Sequence, residues 1–292
     1  MKKIMKFATI LCACLMVTSC DLLSGVIGKK GDSVKFEKYS STLSESKFLK
    51  QFEKALENNA VVEMVDDKSF EDLIVTKKEI NNREETIQYK GRKDKVTEVE
   101  KEVYTDTYKY DEDNGYLSHE TVSSYSQEGP ISKKESSSSE KLFYVESKRE
   151  TMVYDEINKL TYEVVLSPKL EDMLFLALTS INIGKPGGYD PDVDITYYHD
   201  EDVFTLEIEQ EVEENVYEYN STVVMTGTLQ YVFRDDEVAM IYNYKSETTT
   251  YDYDTEATTI EIKEEAYEAR VKLEKVDLKE PKAKDYTEIE KK

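Results

Sequence analysis

The stretch "VYTDTYKYDEDNGYLSHETVSSYS", residues 103–126, indicates the fold. Its two halves are rich in tyrosine, valine and threonine, which favour β-strands. Between them, Asn114 and Gly115 readily adopt the positive φ angles that a tight hairpin turn requires. The stretch therefore predicts two adjacent antiparallel strands joined by a short turn.

The same pattern recurs three times further along the chain. It predicts hairpins over residues 151–165, 195–212 and 229–244. The polar stretch "EGPISKKESSSSEK", residues 128–141, separates the first two hairpins. We interpret it as a loop at a mobile hairpin tip rather than a domain linker, because strand patterns resume on both sides.

A helix is predicted before the strands, in "TLSESKFLKQFEKALENN". Thr42 and Glu45 have the spacing of a capping box, and the apolar residues that follow fall on one helical face. Asn58 and Asn59 are expected to end this helix. From residue 61 onward the pattern is mostly that of strands.

A second helix is predicted over residues 167–183, in the middle of the chain. Ser167 can cap it, Pro168 suits its first position and Gly184 can terminate it. Residues 173–178 form the most apolar run after the N-terminal leader. This helix is too short to span a bilayer and too apolar to lie in water, so we expect it to be buried against the sheet.

Together these patterns predict a β-dominated α+β fold. We expect a large curved antiparallel sheet built of hairpins and packed against the N-terminal helix and the apolar mid-chain helix. Residues 43–280 are predicted to form a single β-rich domain, followed by a charged C-terminal tail at 281–292.

The leader determines the expected location. Lysines precede an apolar stretch, residues 7–17, that is too short to cross a bilayer, and "VTSC" then places small residues before Cys20. This resembles the lipobox of bacterial lipoproteins. The resemblance implies a signal peptide at 1–19, lipid attachment such as palmitate at Cys20, and an anchor with a flexible tether at 20–42.

The cysteine distribution supports this interpretation. All three cysteines lie within residues 12–20, so cleavage before Cys20 leaves a single thiol. A lone exposed thiol outside the cell is reactive, and acylation removes it. The alternatives are an ordinary signal peptide that carries a cysteine, or a short membrane anchor. The expected location is extracytoplasmic, on the outer face of the cytoplasmic membrane or on the periplasmic side if the host has two membranes.

Charge limits the possible partners. The chain has 62 acidic against 39 basic side chains and a net charge of −23. Such a surface repels phosphate backbones, so we expect no nucleic-acid partner, whereas cations and basic proteins are attracted. The simplest role of this charge is solubility, because long strands need charged faces to avoid edge pairing.

No enzyme motif is complete, so we expect no catalytic residues and no cofactor. His119 and His199 both fall on predicted hairpin strands and are interpreted as solvated strand residues. Four acidic residues have the spacing of calcium ligands at loop positions 1, 3, 5 and 12, namely Asp190, Asp192, Asp194 and Glu201. Ile195 stands where such a loop needs glycine, so an acidic entry to a hairpin is favoured and no metal site is predicted.

Two functions from different classes remain open. The order of anchor, helix, hairpins and apolar helix resembles the LolA/LppX-like lipoprotein-carrier superfamily, which implies a binding module for a lipid or other apolar ligand held between sheet and helix. The resemblance carries no residue motif, and the strands are densely charged. The alternative is a structural or interaction lipoprotein whose acidic surface contacts a cation, a basic protein or the cell wall. A polar groove would favour this alternative.

Overall fold

The computed structural model describes residues 34–92, 94–146, 150–165, 169–179, 186, 193–215 and 218–289. Several predictions fall outside these residues and stay predictions: the signal peptide at 1–19, lipid attachment at Cys20, and the roles of Ser167, Pro168, Gly184, Asp190 and Asp192.

The described strands belong to one sheet, and the predicted β-dominated α+β class is confirmed. The strands are β1 Thr42–Leu43, β2 Leu73–Tyr89, β3 Val96–Asp111, β4 Tyr116–Glu128, β5 Lys133–Glu146, β6 Glu150–Asp155, β7 Leu160–Val165, β8 Asp194–Asp200, β9 Val203–Asn215, β10 Tyr219–Arg234, β11 Glu237–Asp252, β12 Ala257–Leu273 and β13 Thr287–Glu288. Their order in space is β1-β8-β9-β10-β11-β12-β2-β3-β4-β5-β6-β7-β13.

All four predicted hairpins are present, as β3–β4, β6–β7, β8–β9 and β10–β11. In the first turn, Gly115 has a φ of 63°. The buried Asp111 carboxylate accepts hydrogen bonds from the backbone N–H and side-chain amide of Asn114. The described strand pairs are antiparallel, except that β13 pairs with β7 in parallel. β13 belongs to residues 281–292, which were predicted to be a charged tail.

Part of the predicted polar loop is a strand. Only residues 129–132 form the turn, and the serine-rich residues from Lys133 onward pair with β4 throughout. Serine has a low intrinsic preference for strands, but pairing with a neighbouring strand overrides that preference.

The N-terminal helix, α1, spans Glu45–Glu57, and Ser44 rather than Thr42 occupies its N-cap position, without a capping hydrogen bond from its side chain. The capping-box prediction was wrong because Thr42 pairs with β8 as part of β1. Asn58 ends the helix as expected, whereas Asn59 begins a second helix, α2, over Ala60–Asp67. The Asn59 side chain accepts hydrogen bonds from the backbone N–H groups of Val61 and Val62, which stabilises this unpredicted helix.

The mid-chain helix, α3, spans Leu170–Thr179 within the described residues. Leu174 and Leu178 are almost fully buried and belong to the main core, as expected for a helix packed against the sheet. Leu176 faces outward and is 66% exposed.

The main core lies between the three helices and one face of the sheet, which we call the helix face. Residues directly opposite each other in antiparallel strands point to the same face. Leu229 and Tyr231 of β10, Met240 of β11 and Val75 of β2 all join the helices in this core. These residues lie in the half of the sheet nearest the helices, which we call the near half.

Both terminal segments cross the opposite face of the near half. The fully buried Gln230 accepts a hydrogen bond from the Glu37 N–H at 2.7 Å and donates one to the Glu37 carbonyl at 3.1 Å. Further along, Val276 and Leu278 donate backbone hydrogen bonds to Asp72 and Asp111. Residues 34–41, predicted as part of the flexible tether, are therefore bound to the sheet.

The other half of the sheet, which we call the distal half, has a different character. It contains the ends of the strands around Tyr89, Val96, Glu128 and Lys133. No strand residue of the main core lies there among the residues that the structure describes. Its long strands carry polar side chains interspersed with exposed valines, such as Val96, Val99 and Val122, and extend from the packed base.

Candidate functional site

The helix face of the sheet continues past the helices as rows of polar side chains. In one row, Tyr267 of β12, Glu79 of β2 and Tyr104 of β3 lie opposite one another. These residues share a face with Val75 of the core, because residues two apart in a strand point the same way.

In the next row, Glu265 of β12, Asn81 of β2 and Glu102 of β3 are paired in the same manner. The two rows line a groove. A depression of about 280 Å³ is bounded by Glu79, Asn81, Glu102 and Tyr104. A second, of about 190 Å³, shares Asn81 and Glu102 and extends to Glu265. Its lining also includes the cationic side chains of Arg83, Lys101 and Lys263. We call this surface the carboxylate groove and define it by Glu79, Asn81, Glu102, Tyr104 and Glu265.

The groove disfavours a further negative charge. Partial burial, and then the nearby Glu79 carboxylate, raise the pKa of Glu265, and the smaller opposing effect of Lys263 does not cancel them. The Glu79 carboxylate accepts a hydrogen bond from the Asn81 side-chain amide at 3.4 Å. A positively charged group entering here would relieve this repulsion.

Tyrosines form one wall of the groove. Burial, and then the Glu79 charge, raise the pKa of Tyr267 to about 12, so its hydroxyl stays neutral at physiological pH. Tyr267 stacks on Tyr242 with ring centroids 5.3 Å apart. Tyr104 is 37% exposed at the groove. Tyrosine rings attract cations through their π faces.

An ion-pair network closes the groove at its distal end. The Arg83 guanidinium lies 2.6 Å from the Glu261 carboxylate and 2.8 Å from that of Glu85. Glu100 is 3.8 Å away. Lys263 lies beside this arginine, 2.9 Å from Glu261, so this end of the groove contains two cations as well as the carboxylates that pair with them.

A buried polar cluster closes the groove toward the helices. His119 Nε2 lies 2.5 Å from Asp106 Oδ1, and the Thr121 hydroxyl donates to the same oxygen at 3.1 Å. The His119 ring stacks on Tyr108 at 4.1 Å. Burial lowers the pKa of Lys77, which faces Asp106 across the strands.

Both histidines lie on strands as predicted, but neither is fully solvated. The His119 side chain is only 17% exposed and belongs to this cluster. His199 stacks on Phe204 with centroids 4.1 Å apart and contacts the Glu201 carbonyl oxygen at 2.7 Å. A hairpin pattern does not reveal which strand face is covered, which explains the error.

The calcium-like spacing is not matched by the geometry of its described members. Asp194 begins β8, and Glu201 lies in the turn after that strand ends, with a φ of 52°. A strand of this length separates them by about 20 Å, far beyond the reach of one ion. Among the described residues, no three His, Cys, Asp or Glu side chains are grouped to hold a metal ion.

Comparisons with known proteins give no relative: neither a known protein family nor any curated protein matches this chain. In the described ranges, each helix falls short of the length and apolar character that crossing a membrane requires.

We expect the Asp106→Asn variant to lose about 1–3 kcal/mol of unfolding free energy at pH 7, because a buried charge-assisted hydrogen bond is weakened. Burial, the largest single cause, would raise the pKa of Asp106, but the hydrogen bonds with His119 and Thr121 and the attraction of His119 and Lys77 together outweigh burial and lower it. A folded-state pKa below the unfolded value stabilises the fold above about pH 4, and this stabilisation is lost as the pH falls further. The difference between wild type and variant should therefore shrink in acid.

Urea unfolding between pH 3 and pH 7 measures this. Asp254→Asn, on the exposed turn between β11 and β12, is the control and should stay within about 0.5 kcal/mol of wild type. An Asp106→Asn variant as stable as wild type at pH 7 would contradict the account of the cluster.

Proposed function

We propose that this chain is a membrane-anchored extracytoplasmic binding protein without catalytic activity, whose carboxylate groove holds a positively charged group of a basic protein or peptide. The observation that carries the proposal is the groove itself, in which Glu79, Glu102 and Glu265 lie in two adjacent rows beside tyrosine rings on one face of the sheet.

The chemistry of the groove selects the ligand. A lysine or arginine side chain brings a positive charge to the carboxylates and an apolar stem to the tyrosines. Cation–π attraction adds about 0.5–2 kcal/mol when the cation is partly desolvated. The net charge of −23 also steers basic partners toward the molecule.

The groove is held rigidly at both ends. The Arg83 network fixes its distal rim, and the Asp106–His119 pair fixes its base. Because the strands on either side are paired along their whole length, binding does not require the backbone to be ordered first. A preformed site avoids that entropic cost.

An apolar ligand between helix and sheet has less support. Phe48, Phe52 and Leu174, which face this space, are fully buried against their neighbours. The two depressions in the described part of the chain are lined mainly by polar residues. A lipid retained by the purified protein in native mass spectrometry would reverse this ranking.

Binding of the trilysine peptide tests the groove. We expect the double variant Glu79→Gln/Glu102→Gln to bind trilysine at least about 10-fold more weakly than wild type, which corresponds to about 1.4 kcal/mol. Isothermal titration calorimetry at physiological salt measures the affinity, with trialanine as the neutral peptide.

The matched control is Glu211→Gln/Glu213→Gln, which removes the same charge from exposed positions of β9. It should bind trilysine within about 2-fold of wild type, because charges beyond about 8 Å are screened at this salt concentration. Equal weakening in both double variants would show that only net charge matters and would contradict the groove as a site.

The anchor is tested separately. Wild type is expected to take up radioactive palmitate and to sediment with membranes, because acyl chains on Cys20 hold it there. Cys20→Ala should take up no label. A variant that is still labelled would contradict attachment at Cys20.

A further inference from the structure

The segment that precedes β1 and α1 is fixed to the near half of the sheet by hydrogen bonds. The backbone N–H groups of Ser40 and Ser41 both donate to the Asp200 carboxylate. The backbone N–H and carbonyl of Glu37 both bind the side chain of Gln230, which is fully buried. We call residues 37–41 the docked segment.

The docked segment lies at one end of the strands. Asp200 is the last residue of β8, and Gln230 lies near the end of β10, which ends at Arg234. The hairpin turns at residues 201–202 and 235–236 follow these strand ends directly. We call the end of the sheet that contains these two turns the base. The chain therefore enters the sheet at its base.

The opposite end of the sheet is far from the docked segment. Gln230 is level with Lys78 of β2, because the residues paired across β11 and β12 connect the two positions. The strand from Lys78 to Tyr89, where β2 ends, rises by about 36 Å. We call the end of the sheet that contains Tyr89 and the turn between β11 and β12 the free end.

The chain between the lipid site and the docked segment is short. Residues 21–36 connect Cys20 to the docked segment. A flexible chain of this length has a root-mean-square end-to-end distance of about 22 Å. If the free end faced the membrane, the connecting chain would have to extend for about 36 Å along the sheet before it met the docked segment. Stretching a chain in this way lowers its conformational entropy, whereas a base that faces the membrane requires no such extension.

We propose that attachment through the docked segment orients this chain on the membrane, with the base toward the bilayer and the free end away from it. The proposal rests on lipid attachment at Cys20, which is part of the proposed function. The row of Glu79 lies about 20 Å along β2 from Leu73. The carboxylate groove is therefore presented above the base, where a partner approaches it from the aqueous side.

Charge affects how closely the base approaches the membrane. Glu201, Asp202, Asp235 and Asp236 in the two turns of the base are exposed. An anionic surface repels them, but at physiological salt this repulsion extends only about 8 Å. The base is therefore expected to stand clear of anionic headgroups without the sheet being inverted. A membrane without net charge tests the effect of the connecting chain alone.

Fluorescence quenching by the membrane tests the orientation of the full acylated chain. Asp236→Cys and Asp254→Cys place a dye in the exposed turns before and after β11, whose length is about 50 Å. The chains are bound to phosphatidylcholine vesicles that contain a lipid with a quencher on its headgroup. We expect the dye at Asp236→Cys to be quenched several-fold more strongly than the dye at Asp254→Cys. The parent chain measures any dye that reacts with Cys20.

Lengthening the connecting chain tests the cause of the orientation. A Gly/Ser spacer of 32 residues between residues 33 and 34 should raise the root-mean-square length of the connecting chain to about 38 Å, which is enough to reach the free end. The difference in quenching between the two dye positions should then shrink. The same spacer added after Lys292 is the matched control and should leave the difference unchanged.

The possible outcomes separate this proposal from the proposed function. Equal quenching at both dye positions, stronger quenching at Asp254→Cys, or a difference that the inserted spacer leaves unchanged would overturn the orientation alone. A chain that does not sediment with the vesicles would overturn both the orientation and the anchor. Binding of trilysine to the groove is measured independently of either result.

Discussion

The packing of α1 against the near half of the sheet is the constraint on which the rest of the molecule depends. Phe52 lies at the centre of this contact, with ring centroids 4.9 Å from Tyr231, 5.2 Å from Phe233 and 5.5 Å from Phe204. Burial of an aromatic side chain of this kind typically contributes about 3–5 kcal/mol. The distal half has no comparable core in the described residues, and its stability depends on strands that run without interruption from the packed base.

This division gives the two halves different roles. The near half is covered by helices on one face and by the terminal segments on the other, so its side chains pack in the core or bind these segments and thereby stabilise the fold. The distal half leaves many side chains exposed along β3, β4 and β5. The carboxylate groove lies where the core ends, so its strands are rigid while its carboxylates remain accessible.

The sequence predicts the hairpins well because turn residues and strand composition are local signals, as at Asn114 and Gly115. The prediction from sequence fails where contacts between distant parts of the chain determine the local structure. The serines of β5 form a strand because they pair with β4. Thr42 does not cap α1 because it pairs with β8. The groove was not predicted because Glu79, Asn81 and Glu102 come from separate strands, and only the register places them together. The alternating glutamates of β3 were the one available signal.

The central claim is that the groove, rather than the acidic surface as a whole, recognises a cation. Mapping the amide chemical shifts of the isotope-labelled protein during titration with trilysine tests this most directly. The account predicts that the largest changes occur in the middle of β2, β3 and β12, around Glu79, Asn81 and Glu265. Changes of similar size spread over β9 and the hairpin tips, or concentrated on α3, would contradict it.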